Sequence, residues 1–203
     1  MALITRVAGV VLAAGGSTRF GSPKQLIVDE GEMLVRRAAR VAYEAGADPV
    51  IVVLGSDADL IAPQLDGMPA VTTIVNHEWR TGLASSLVAG LRAASALGDC
   101  EAVLVTLADQ PSIDASEIKR LIDAFDDRHR IIASSYDNVI GVPAVFGVEY
   151  VDELSRLEGD AGAGSWLRRR ESEVTQIALV SGHLDVDTPE DLAELQSRRQ
   201  TSP

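Results

Sequence analysis

Four short apolar runs recur along this chain, each too short to be a buried helix. They are Val7 to Ala13 (VAGVVLA), Pro49 to Leu54 (PVIVVL), Ala70 to Val75 and Ala102 to Leu107 (AVLVTL). Runs of this length with almost no polar alternation are expected as strands buried on both faces. Helical patterns lie between them. Leu34, Ala38, Val41 and Ala45 are spaced for one helix face, with Arg36, Arg37, Arg40 and Glu44 on the other. Leu83 to Leu97 reads as an alanine-rich helix. Asp114 and Glu117 have the N-cap and N3 spacing of a capping box and open a helix to about Phe125. Thr188-Pro189-Glu190-Asp191 opens a final helix, with Thr at the N-cap, Pro at N1 and acids in the first turn.

Strands separated by helices pair in parallel through right-handed crossovers and are covered on both faces. The expected fold is therefore α/β: a three-layer α/β/α sandwich with a Rossmann-like, mostly parallel sheet. Weaker strand candidates at 130–134, 144–146 and 174–179 make the C-terminal half less regular, with room for an antiparallel strand. No repeat or long linker divides residues 1–203, so one domain is expected, with a frayed tail from Arg199 to Pro203. At 46% hydrophobic and 4% aromatic residues, the core must be built mainly from aliphatics.

Acidic residues outnumber basic ones, 30 to 18, for a net charge of -12. That excludes a general nucleic-acid or anionic-membrane binder, which needs a basic face. An anionic small substrate would require a focused positive site. The lone Cys100 can form no intrachain disulfide, and its neighbours Gly98, Asp99 and Glu101 would not activate a thiol. No signal peptide or membrane span is read, so a cytoplasmic protein is expected. His77, His129 and His183 are too dispersed for a zinc site. No large exposed apolar stripe stands out, and a monomer is the expectation.

The densest unusual segment runs from Leu12 to Leu26 (LAAGGSTRFGSPKQL), directly after the first strand. Glycines there let backbone amides approach a phosphate, and Arg19 and Lys24 add positive charge. Two familiar phosphate loops do not fit. Ser22-Pro23 follows Gly21 where a Walker loop needs Lys-Ser/Thr, and Thr18 takes the place of a Rossmann glycine. A glycine-rich turn with two solvated cations remains the alternative.

This loop resembles the signature of the MobA-like nucleotidyltransferase family, and within it that of the molybdenum cofactor cytidylyltransferases. The likeness continues in order through residues 76–87 (NHEWRTGLASSL), 107–111 (LADQP), 141–146 (GVPAVF), 159–163 (GDAGA) and 185–192 (DVDTPEDL). The resemblance implies Mg²⁺-dependent transfer of a nucleoside monophosphate from an NTP, with CTP favoured, to the terminal phosphate of molybdopterin, releasing pyrophosphate. It further implies that Leu12, Ala13, Ala14, Gly15, Gly16, Arg19 and Lys24 bind the nucleotide, with Gly15, Gly16, Arg19 and Lys24 on its triphosphate and Gly82, Ser85 and Ser86 by its base and ribose, and that Arg19, Lys24 and Asp109 are catalytic. Asp109 and Asp187 fall at family positions that hold magnesium, and Gly141, Pro143 and Gly162 on the acceptor side. Those cytidylyltransferases often carry a histidine after the first acceptor-side glycine, where this chain has Val142.

An ionised phosphate monoester needs no strong general base, in keeping with the lack of a Ser-His-Asp pattern. Taken alone, Asp109 reads equally as a turn residue and Asp187 as a helix-flanking acid. Arg168-Arg169-Arg170 reads as a solvated helix face or as a contact to a charged acceptor. The alternatives are transfer to another phosphorylated metabolite, or a non-catalytic nucleotide-binding partner of a molybdoenzyme.

Overall fold

The structure is a computed structural model and describes residues 6–17, 19–136, 139–179 and 185–201, with side chains as far as 197. In chain order the elements are β1 (Val7–Ala13), β2 (Val28–Asp29), β3 (Glu32–Met33), α1 (Leu34–Glu44), β4 (Ala47–Leu54), α2 (Ala58–Ile61), β5 (Val71–Val75), α3 (Leu83–Ser95), β6 (Ala102–Leu107), α4 (Ala115–Asp123), β7 (Ile131–Tyr136), β8 (Val139–Gly147), α5 (Val151–Leu154), α6 (Ala163–Arg169), β9 (Thr175–Ala178) and α7 (Pro189–Thr201).

Three of the four apolar runs lie side by side inside a seven-stranded sheet ordered β5-β4-β1-β6-β8-β7-β9. The remaining one, expected to be buried on both faces, is instead the edge strand β5, which pairs with β4 alone and has no buried residue. Every residue of β1 is buried, because it pairs in parallel with β4 on one side and β6 on the other. The chain winds outward through β1, β4 and β5, then returns to the far side of β1 as β6. The less regular half supplies the antiparallel element: β8 runs against both β6 and β7, while β9 runs parallel to β7. A short β2–β3 hairpin precedes α1.

The sheet's two faces bury separate cores, giving the expected three layers. One face packs Val11, Val52 and Leu104 against Val35, Ala39, Ile118 and Leu121 of α1 and α4. The other packs Val10, Val53 and Val105 against Leu87 and Leu91 of α3, Leu154 of α5 and Leu167 of α6. Each fully buried large apolar side chain contributes roughly 1.5–3 kcal/mol. Helix α3 lies close to the sheet because Gly90 has no side chain. A Cβ there would stand 2.4 Å from Val10 Cγ1.

Aromatics are few in this mainly aliphatic core: Phe125 on one face of the sheet and a cluster around Trp166 on the other. Trp166 packs edge-on to Phe146 (ring centroids 5.8 Å apart) and to Tyr150 (5.7 Å), fixing α6 on β8. Arg170 is spent here and not on an acceptor: it lies 4.8 Å over the Trp166 ring and pairs with Glu153 and Glu173. No helix among the described residues is long and apolar enough to cross a membrane.

Candidate functional site at the switch in strand order

Strand order reverses between β1 and β6, and ligands of open α/β sheets bind in the crevice beyond the carboxyl ends at such a point. The loop after β1 is anchored there through its carbonyls. Leu12 O accepts from Ala108 N–H (3.1 Å) and Ala14 O from Ser56 N–H (3.2 Å), tying the loop to the ends of β6 and β4. The Gln25 side chain, only 2% exposed, donates from Nε2 to both Ala13 O and Gly15 O, each at 2.8 Å.

Ser17 sits at φ +48°, and its carbonyl accepts from Phe20 and Gly21 N–H in a tight turn. Ser17 Oγ accepts from Lys24 N–H (3.0 Å) and donates to Gln25 Oε1 (3.3 Å). Carbonyls are thus held back, while the Gly15 and Gly16 N–H groups make no hydrogen bond among the described residues. That is the polarity of an anion nest. Gly16 is also sterically required: a Cβ would stand 2.9 Å from the Trp79 ring.

Charge converges beside these amides. Lys24 Nζ donates to Asp109 Oδ2 (2.5 Å) and Asp187 Oδ1 (2.8 Å), and Arg19 donates to Asp187 Oδ2 (2.7 Å). Two backbone features bring the acids together across the sequence. Val186 N–H donates to Asp109 O (2.8 Å). The start of α7 closes a reciprocal cap: Asp191 N–H donates to Thr188 Oγ1 (3.2 Å), and Asp191 Oδ2 accepts from Thr188 N–H (2.7 Å) and Asp187 N–H (3.0 Å).

Burial disfavours the Lys24 ammonium, but Asp109 and then Asp187 outweigh it and hold its pKa above that of a free lysine. Burial likewise opposes ionisation of Asp187, yet Lys24 and Arg19 hold its carboxyl below the usual range. Asp185 goes the other way, pushed up by desolvation and then by the charge of Asp109.

A cavity of about 700 Å³ opens here. Of the residues expected from sequence, Leu12, Ala13, Ala14, Gly15, Gly16, Lys24, Gly82, Ser86 and Asp109 line it. Arg19 and Asp187 lie at its edge through their ion pairs. Ser85 is not among the residues that line it. Its hydroxyl is held on the far side of the α3 start by Asn76 Nδ2 (2.9 Å), Glu78 O and Gly82 O.

The acceptor-side residues lie on two elements that pack against each other, β8 and the start of α6. Gly141 and Pro143 lie within β8, where the Gly141 carbonyl accepts from Ser134 Oγ (3.1 Å). Gly162 caps α6 and abuts Leu83, a cavity residue. His129 pairs with Asp126, burial pushes the Cys100 thiol up, and His183 lies outside the described residues. Sequence reasoning missed Gln25, Trp79, Arg80 and Asp160. Trp79, Arg80 and Asp160 stood inside motifs quoted for other residues, and the polar Gln25 gave no sign that it would be buried.

The model of the MobA-like NTP transferase domain matches residues 9–174. The chain belongs to this family. It is a nucleotidyltransferase by family, and similar proteins carry several names. Nicotine blue oxidoreductase of Paenarthrobacter nicotinovorans is 33% identical over 93% of this chain and 96% of its own. A probable molybdenum cofactor guanylyltransferase of Opitutus terrae is 34% identical over 54% of this chain, which spans about half (51%) of that relative. Rv0371c of Mycobacterium tuberculosis is 31% identical over 95% of this chain and 99% of its own, with a TM-score of 0.78. A second structure of Rv0371c is described as a complex with manganese.

A nucleotidyltransferase of this family works with a divalent cation, and the donor set fits one. Asp109 Oδ1 is buried without a hydrogen-bond partner among the described residues. Asp109 Oδ2 and Asp187 Oδ1 converge on one point, now taken by the Lys24 ammonium. Hard oxygen donors in a pair suit Mg²⁺ or Mn²⁺, which complete their shells with phosphate oxygens and water.

Proposed function

We propose that this nucleotidyltransferase moves a nucleoside monophosphate from an NTP to the terminal phosphate of a molybdopterin-type acceptor and releases pyrophosphate. The observation that carries this reading is the meeting of Lys24, Asp109 and Asp187 beside the open Gly15 and Gly16 amides. The amides and Lys24 hold the triphosphate. Fixed donors of this kind stabilise charge without reorganising when the reaction occurs. Mg²⁺ held by Asp109 and Asp187 would supply further charge neutralisation on the phosphates.

An acceptor phosphate oxygen forms the new bond to the α-phosphorus as the bond to the α,β-bridging oxygen breaks. The electron pair leaves with pyrophosphate. A phosphate monoester is largely ionised at neutral pH, so no proton need be removed, and positioning is the main task. Gly82 and Ser86 form the wall proposed for base and ribose. CTP is the favoured donor by resemblance, and the relatives named guanylyltransferases make GTP its rival.

A second reading comes from the relative named nicotine blue oxidoreductase, which matches nearly the whole chain: an oxidation–reduction in the same cavity. The deciding experiment is a pyrophosphate-release screen of four NTPs against phosphorylated acceptors including molybdopterin, with Mg²⁺. Release that needs both CTP and molybdopterin supports the full reading. Release with GTP or another acceptor changes the substrates and keeps the reaction. Nucleotide binding without release favours a non-catalytic molybdoenzyme partner. Transfer of a hydride from a reduced nicotinamide dinucleotide to an added quinone-type dye, with the dye reduced as the dinucleotide is oxidised and without pyrophosphate release, favours the redox reading.

A further inference from the structure

Two cations line the cavity, Lys24 and Arg80. Lys24 is committed to Asp109 and Asp187. Arg80 has no carboxylate partner among the described residues, although acids outnumber bases 30 to 18. Some arginines find glutamates, as Arg40 does with Glu32 and Arg130 with Glu149, and others, such as Arg92, do not among the described residues, so what sets Arg80 apart is its place at the cavity wall.

What holds Arg80 is an aromatic face: its guanidinium lies 4.4 Å from the centroid of the Trp79 ring. The ring is itself wedged in place. A Cβ on Gly16 would stand 2.9 Å from Trp79 Cη2, and one on Gly55 would stand 2.7 Å from Trp79 Cβ. The platform under Arg80 therefore rests on the amide-bearing loop and on the exit of β4. Stacking occupies the face of a guanidinium and leaves its in-plane N–H donors free for phosphate oxygens. An unpaired, oriented cation at the wall of a cavity read as taking phosphates has an evident ligand.

We infer that Arg80 binds a phosphate group of the substrates, with Trp79 as the residue that positions it. This rests on the proposed transfer reaction. The phosphate has two sources, the polyphosphate chain of the nucleotide and the monoester of the acceptor.

The test is calorimetric titration of inorganic tripolyphosphate into the full-length wild type, Arg80→Ala, Arg80→Lys and Trp79→Leu, with steady-state KM values for NTP and acceptor. Arg80 is exposed, and Arg80→Ala is expected to keep the wild-type melting temperature. Loss of a charge-assisted phosphate contact weakens binding about tenfold to a hundredfold.

Weaker tripolyphosphate binding and a raised NTP KM in Arg80→Ala, with kcat little changed, assign the nucleotide phosphates. An unchanged tripolyphosphate affinity with a raised acceptor KM assigns the acceptor. Arg80→Lys, which keeps the charge and loses the planar fork, recovers part of either effect, and Trp79→Leu reproduces part of the loss with the charge intact. Unchanged tripolyphosphate affinity and unchanged KM for both substrates overturn the inference while transfer itself stands. Arg80-dependent tripolyphosphate binding in a protein that transfers nothing overturns the transfer reading and leaves the inference standing.

Discussion

Gln25 holds the glycine loop after β1 in shape, and replacing it with methionine tests that role. Methionine has about the same volume and cannot donate. Gln25→Met removes two 2.8 Å bonds, to Ala13 O and Gly15 O, and the acceptor of Ser17 Oγ. The costs differ between the two carbonyls. Ala13 is buried, so its carbonyl loses a partner that water cannot replace, at about 1–3 kcal/mol. Gly15 is exposed, so its carbonyl is rehydrated and the loss is nearer ~1 kcal/mol. Together the variant loses about 2–4 kcal/mol, which for a domain of this size lowers the melting temperature by roughly 5–15 °C.

The functional effect is separable from the stability effect. At a temperature where the variant remains folded, the freed Gly15 carbonyl turns toward the anion, and the KM for NTP rises. Gln25→Glu sharpens the test. A glutamic acid can donate to a carbonyl only when protonated, so its folded pKa must lie above its unfolded value near ~4.3. Its stabilising bond is present below the unfolded pKa and is lost as pH rises through the folded one. Gln25→Glu should therefore be best tolerated at acid pH. Thermal melts across pH with NTP titration check both variants against the wild type. A Gln25→Met protein with the wild-type melting temperature and NTP affinity would refute the reasoning.

Lys24→Met leaves two acids converging without their cation. A loss of about 2–4 kcal/mol is expected, partly restored by Mn²⁺ in a thermal melt, because removing one partner of a partly buried charge cluster exposes the repulsion of the rest. Gly82→Ala places a Cβ 2.2 Å from Gly159 O at φ +122°, so a destabilisation of about 2–4 kcal/mol is expected from denaturant unfolding, with a raised NTP KM. Asp114→Ala breaks the capping box of α4 and costs about 1 kcal/mol, or roughly 2–4 °C. The Ser116 hydroxyl and the α4 amides hold the Asp114 carboxyl below its usual range, so this contribution is present above the unfolded pKa and lost as pH falls through the folded one. The gap between wild type and variant in melting temperature should narrow on acidification.

Strands β1, β4 and β6 were legible because burial on both faces removes polar alternation, whereas β5 stood where an apolar run did but is a half-exposed edge strand. Capping chemistry located α4 and α7 to within a residue at their starts. The far half was harder. β8 spans Val139–Gly147, yet only Ala144 to Phe146 read as strand, because Gly141 and Pro143 are residues that usually interrupt one. The β2–β3 hairpin and the short helices α2, α5 and α6 are below the length at which periodicity speaks.

At the site, the loop and the two acids were visible as residue types in an ordered pattern. That Lys24 would bridge Asp109 and Asp187 was not, because the contact depends on a hydrogen bond from Val186 to Asp109 and on the cap of α7. Ser85 was read as facing the nucleotide. Asn76 Nδ2 donates to both hydroxyls, but only Ser86 lines the cavity, while Ser85 Oγ donates back to the Glu78 and Gly82 carbonyls. Trp79 and Arg80 gain their meaning only from the ring's seat on Gly16.

An acidic chain can thus serve an anionic substrate. Lys24 and Arg80 face the cavity, and in the proposed reading the nearby acids Asp109 and Asp187 are the oxygens a divalent cation would use. The most direct measurement is transfer of label from an NTP carrying a radioactive α-phosphate, in wild type and in Asp109→Asn. The account predicts that label enters the phosphorylated acceptor and not the released pyrophosphate. It also predicts that Asp109→Asn, folded by its melting curve, is at least ~10²-fold slower. Label transfer at the wild-type rate in Asp109→Asn would contradict it.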